Sequence, residues 1–259
     1  MTDLFEEVEE QLRSDRYNTL ARKAVPWAIA IAAAALVAAL AYWGWDTWRN
    51  RAISEASTQY NTAAEAFAKG DIPAARKQWI EVSGSSAAGY KSLALMQLGG
   101  LQVQENKTAE AVKLFDQAAD AAPNEFIADA ARLKSAFALL DTAPYSDLEA
   151  RLTPLTQDGR PYRLHAREAL GFAKLMAGNT AGARGDFLVL STSLGAPAGL
   201  KGRAQAAVIL IDSGAAKAVP GVVKQALTLP PPPPNVGPSQ ASGAPLAPPA
   251  PQSQATGPQ

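Results

Sequence analysis

The apolar and polar positions of this 259-residue chain fall into three consecutive patterns. From Ala24 to Trp45 there is no charged residue. As a helix rising about 1.5 Å per residue, Val25 to Trp45 is about 31 Å long, close to the ~30 Å of a bilayer's hydrocarbon core. From Asp46 to Leu229, apolar residues recur at helical spacing among charges of both signs, in an alanine-rich background. From Pro230 onward the periodicity stops and Pro, Ala, Ser, Gln and Gly take over. The pattern therefore predicts segments at residues 1–23, 24–45, 46–229 and 230–259, with strands in none of them.

The uncharged segment carries marks of a membrane span. Trp27 stands at one end, and Tyr42, Trp43, Trp45 and Trp48 crowd the other, as aromatic belts do at both interfaces. Pro26 is expected in the first turn, where its missing N–H costs nothing. Ala39-Leu40-Ala41 resembles a signal-peptidase site, but the preceding 23 residues include Asp3, Glu6, Glu7, Glu9, Glu10 and Asp15. A short basic leader lacks such acids, so the segment reads as an uncleaved anchor. Arg13, Arg16, Arg22 and Lys23 precede it, against Arg49 and Arg51 close behind, which places the N-terminus in the cytoplasm and the bulk outside. Before the span, Leu4, Val8 and Leu12 recur every four residues among glutamates, predicting a short amphipathic cytoplasmic helix. Its acidity suits a protein partner better than an anionic leaflet.

The long middle region repeats itself. In LALMQLGGLQVQENKTAEAVKLFDQAADAAP, Leu95, Leu98 and Gly99 mark a first helix, and Ala111, Phe115 and Ala118 a second, with Pro123 closing the unit. Small residues are needed where paired helices cross, Phe115 fills the space between them, and proline ends the second helix. The frame recurs upstream with Ala63, Ala75 and Trp79, and downstream with Ala136 and Leu152, then with Leu170, Gly171, Ala183 and Phe187. Gly70-Asp71, Glu105-Asn106-Lys107 and Gly178-Asn179 supply turns between the helices of three units. This is a tetratricopeptide signature of four units. The third is degenerate, with Pro154 near the end of its second helix (Ser146 to Thr156) and no aromatic there. Helices at Gly199–Asp212 and Pro220–Leu229 would cap the stack, as a solenoid requires. The fold class that follows is all-α: a single N-terminal transmembrane helix, a tetratricopeptide-like α-solenoid and a disordered Pro-rich tail with polyproline II character.

Chemistry enters mainly by exclusion. Charge is balanced at 24 Lys and Arg against 24 Asp and Glu, with no basic stripe to suggest a nucleic-acid partner. With no cysteine, thiolate metal sites and thiol nucleophiles are excluded. His165 is the single histidine and lacks the companions that a metal site or a catalytic base needs. No phosphate-binding glycine loop, dinucleotide fingerprint or zinc-protease motif occurs. The expectation is a binding module, not an enzyme, with no catalytic, metal or cofactor site.

In such repeats the first helices line a concave surface. The frame projects Tyr60 and Phe67 onto it from the first unit and Met96 and Val103 from the second. The third contributes Leu133, Phe137 and Leu140, and the fourth Phe172 and Leu175. An apolar, Met-containing trough suits extended or poorly folded polypeptide. A superhelix closed on itself, or filled by the C-terminal helices, is the alternative.

The segments DLFEEVEEQLRSDR, WDTW and LDTAPYSDLEARLTPL…PYRLHAREALG resemble the ancillary SecYEG translocon subunit family over roughly residues 3–215. The resemblance implies a bacterial inner-membrane protein with a tetratricopeptide-like periplasmic domain. It also implies association with the Sec translocon, with a periplasmic chaperone or isomerase, and with unfolded exported clients. No catalytic residue carries over, and the Pro-rich tail falls outside the resemblance. A structural envelope scaffold for division or outer-membrane assembly, with the tail as its ligand-bearing arm, is the second reading.

Overall fold

A computed structural model describes residues 3–228, with side chains described at 26, 27 and 29–228. The Pro-rich tail at 230–259 and the apolar stripe Leu4, Val8 and Leu12 lie outside the described residues and side chains. Among the described residues there are ten α-helices, two 3-10 turns and no strand.

Helix α1 runs unbroken from Asp3 to Ala68. At about 1.5 Å per residue its 66 residues span roughly 99 Å. Two sequence expectations are corrected here. The segment before the span is not a separate short helix, and Pro26 lies inside α1, not in its first turn. An interior proline removes one i→i−4 hydrogen bond. In lipid, neighbouring groups can re-satisfy the freed carbonyl. Helix α1 also passes through Trp45 without a break. The stretch from Asp46 to Ala68, about 34 Å long, serves as the first helix of the first repeat unit.

The remaining helices pair antiparallel around short turns. They are α2 (Ile72–Ser83), α3 (Ala88–Gln104), α4 (Thr108–Ala121), α5 (Glu125–Leu139) and α6 (Tyr145–Leu152). After a 3-10 turn at Thr153–Thr156 come α7 (Arg163–Met176) and α8 (Thr180–Thr192). The end of α1 with α2, α3 with α4, α5 with α6, and α7 with α8 form four units, each packed on the next. Helix α9 (Ala198–Asp212) packs on α8. Past Gly214, at φ +76°, and a second 3-10 turn, α10 (Val219–Ala226) turns about 91° away and rests on α7.

The repeat frame holds at the level of side chains. Ala63, Ala75, Ala111, Ala136 and Ala183 are fully buried, and Trp79, Phe115, Leu152 and Phe187 fill the spaces beside them. Left-handed residues occur seven positions after the small residue of three first helices: Gly70 (φ +82°), Asn106 (φ +58°) and Gly178 (φ +79°). Each lets the chain reverse into its second helix, where a left-handed conformation is costly for most residues. Asp71 and Asn179 then accept hydrogen bonds from the N–H groups of Ala74 and Gly182, capping α2 and α8. In the third unit the equivalent position is Ala143, and its second helix stops after eight residues.

Candidate protein-interaction surface

The first helices carry the projected trough, but the structure does not gather its nine residues into one surface. Met96, Leu133 and Leu175 are buried and belong to three different core clusters. Leu140 and Phe172 are half-buried against the clusters of the third and fourth units. Tyr60 is half-buried as well. Its hydroxyl accepts from Gln97 Nε2 at 2.9 Å, and its ring lies 6.5 Å from that of Trp79. Phe67 also leans on Trp79, at 5.5 Å, yet keeps 37% of its surface exposed. Val103 (43%) and Phe137 (42%) are the other two open positions. Each exposed residue comes from a different unit, so one apolar position per unit remains accessible in the first three.

The fourth unit differs because the C-terminal helices cover it. Leu175 is enclosed by a cluster with Phe187, Leu200, Ala204 and Ala216. Val219 of α10 packs against the same cluster, which Phe172 also borders. Filling by the C-terminal helices is thus realised at the last unit.

Ion pairs tie successive units together. Arg151 donates to Asp116 at 3.0 Å and to Ser135 at 3.1 Å, joining α4, α5 and α6. Asp129 on α5 is fully buried and pairs with Arg160 from the loop before α7. Arg160 also reaches Glu125 at 2.8 Å. Glu168 on α7 is buried and accepts both Nε and Nη2 of Arg203, at 2.7 and 2.9 Å. The guanidinium of Arg203, in turn, has its pKa raised by those hydrogen bonds and by the carboxylate charge.

Two surface clefts were not legible in the repeat frame. One, of about 600 Å³, is lined by Ile72, Pro73, Arg76, Lys77, Ile80 and Glu81 of α2 and by Glu105 at the end of α3. Another, of about 320 Å³, opens between α4 and the short α6, beside Asp116, Arg132, Arg151 and Arg160. Neither is lined by a residue of the projected trough. Ile80 is a single exposed isoleucine on a second helix, and sequence periodicity assigns no partner to it. Among the described residues, no group of three or more His, Asp or Glu side chains is placed to hold a metal ion. His165 sits half-buried beside Tyr162, with ring centroids 6.2 Å apart.

At the other end, Trp27, Ile31, Val37, Leu40 and Trp43 are each more than half exposed on α1, which is long and apolar enough there to cross a membrane.

No curated protein and no solved structure matches the chain. The family model described as a tetratricopeptide repeat-like domain matches residues 23–193, from the start of the apolar segment through the end of α8. The chain belongs to the tetratricopeptide repeat-like domain family.

Proposed function

We propose that this chain is an inner-membrane-anchored, periplasmic protein–protein interaction module. In this reading it acts beside the Sec translocon as a chaperone-like adaptor for newly exported proteins. The observation that carries the reading is the continuity of α1. One helix serves as candidate span and as the first wall of the repeat, so Phe67 is held about 33 Å, roughly six helical turns, beyond Trp45, with Val103 and Phe137 at the matching ends of the next two first helices. A polypeptide emerging from a membrane channel would meet them before it could fold. Tetratricopeptide-like domains generally act by binding other proteins, and the basic residues before the span favour a cytoplasmic N-terminus. The accessible surface is a row of separated apolar anchors, not a full trough, which suits brief contacts with extended chain.

Burial of Met96, Leu133 and Leu175, together with the ion pairs between units, favours a second reading. A rigid stack of that kind also serves as an envelope scaffold for division or outer-membrane assembly. Photo-crosslinking from Val103 and Phe137 in intact membranes separates the two, with Ile80, on a second helix, as a control. Adducts with translocon components or nascent exported chains support the adaptor. Adducts confined to division or outer-membrane assembly proteins support the scaffold.

A further inference from the structure

Beyond Trp48, the most exposed aromatic among the described residues is Phe126, at 60%. It lies in the first turn of α5, where Asn124 already caps the helix by accepting from the N–H of Ile127. Its ring is 5.2 Å from that of Tyr162, which is 6.2 Å from His165. Three rings from two units thus form one surface strip at the entry to α7, flanked by Pro161. The repeat frame does not need this strip, because Phe126 buries little and joins none of the core clusters.

What would cover it is argued by chemistry and by position. After Lys224 the chain has no charge and no aromatic residue, and Pro230 to Pro234 are consecutive. The run Pro230 to Pro234 offers a partner proline rings and backbone carbonyls, with no backbone N–H. Aromatic strips recognise both, stacking the rings and donating to the carbonyls, and a proline run loses little entropy on docking. The Tyr162 hydroxyl is an O–H donor at neutral pH, and burial, and then the charge of Asp129, raise its pKa further. Position agrees: α10, from which the tail issues, rests on α7, and Tyr162 is the N-cap of that helix. Helix α7 is 14 residues, about 21 Å, long, and the six residues from Leu229 to Pro234 reach roughly 19 Å as polyproline, enough to follow most of that helix from where α10 rests on it.

We propose that the strip formed by Phe126, Tyr162 and His165 is a docking site for the chain's own proline-rich tail, bound in cis through Pro230 to Pro234. This docking is independent of what the exposed first-helix row binds.

The absence of native cysteine makes a clean test possible in the full-length protein in detergent. Spin labels at Lys134→Cys, exposed on α5, and Ser239→Cys in the tail report their separation by pulsed electron resonance. A narrow short-distance component is expected, lost in Phe126→Ala and in Phe126→Leu, which keeps an apolar side chain but removes the ring. Replacing Pro230 to Pro234 with glycine, outside the folded repeats, must abolish it equally. A broad distribution in the parent protein overturns the proposal, as does a narrow one that survives these changes. Dilution with excess unlabelled protein must leave the component in place. If it vanishes, the tail docks on a neighbouring copy and docking in cis is overturned.

Discussion

A methyl group added at Gly99 would sit 2.6 Å from Cε1 of Phe115. That is well inside carbon–carbon contact, so this ring lies directly on the backbone of the facing helix. Gly171 and Phe187 repeat the relationship at 3.0 Å. Gly99→Leu should therefore overpack the crossing and cost about 1–3 kcal/mol, whereas Phe115→Ala should leave a cavity costing about 3–5 kcal/mol. Thermal or denaturant unfolding of the two variants checks both, and an unchanged midpoint in either removes the basis for the repeat frame.

Asp129 and Arg160 make a second, less regular tie. Asp129 is completely buried, and one of its oxygens lacks a hydrogen-bond partner. Arg160→Ala would leave that carboxylate with only Arg132, at 3.2 Å, and should cost about 3–5 kcal/mol. Replacing both partners, as Asp129→Leu with Arg160→Met, should be much milder, because no buried charge is then left unpaired. Equal losses in the single and double variants would contradict this assignment.

The contrast between these two ties explains what could be read from the chain. Gly99 with Phe115, Gly171 with Phe187 and Ala63 with Trp79 recur at a fixed period, and the turns at Gly70, Asn106 and Gly178 recur with them. A repeat multiplies each local signal, so four units in register are legible. The pairing of Asp129 with Arg160 spans 31 residues in the unit where the repeat degenerates, and no period announces it. The trough was legible only in part. Helical phase places Met96, Leu133 and Leu175 on first helices, but whether such a position is open depends on how neighbouring units curve and on where α9 and α10 fold back. The continuity of α1 was missed for a local reason. Pro26 and the aromatic belt both resemble helix boundaries, and nothing local reports that the helix continues through them.

Tyr145 provides a pH test. Burial, and then its hydrogen bond to Glu149 at 2.7 Å, push its pKa up to about 12. The folded state thus holds this proton more tightly than the unfolded chain, where tyrosine titrates near 10. Its contribution is complete below pH ~10 and is lost as pH rises toward ~12. Tyr145→Phe should flatten the fall in stability over that window. Tyrosinate absorbance on titration is the direct reading, and release of all six tyrosines near pH ~10 would contradict the shift.

The basic residues before the apolar segment predict a cytoplasmic N-terminus. Protease added to spheroplasts should digest the chain from Arg49 onward and leave a small protected N-terminal fragment. Protection of the whole chain would reverse the orientation, and a mature N-terminus at Tyr42 would mean that the segment had been cleaved.

The central claim is that exposed first-helix residues bind extended polypeptide. Charges at Met96 or Leu133 would not test it, since a glutamate buried there unfolds the domain. Val103→Glu with Phe137→Glu is the informative pair, because both side chains are more than two-fifths exposed and lie in different units. The full-length double variant, reconstituted in lipid and shown by circular dichroism to keep its helical content, is compared with the parent for suppressing aggregation of an unfolded exported protein. Loss of suppression, by tenfold or more for about 1.4 kcal/mol lost between two anchors, is the predicted result. Suppression equal to that of the parent would contradict the claim.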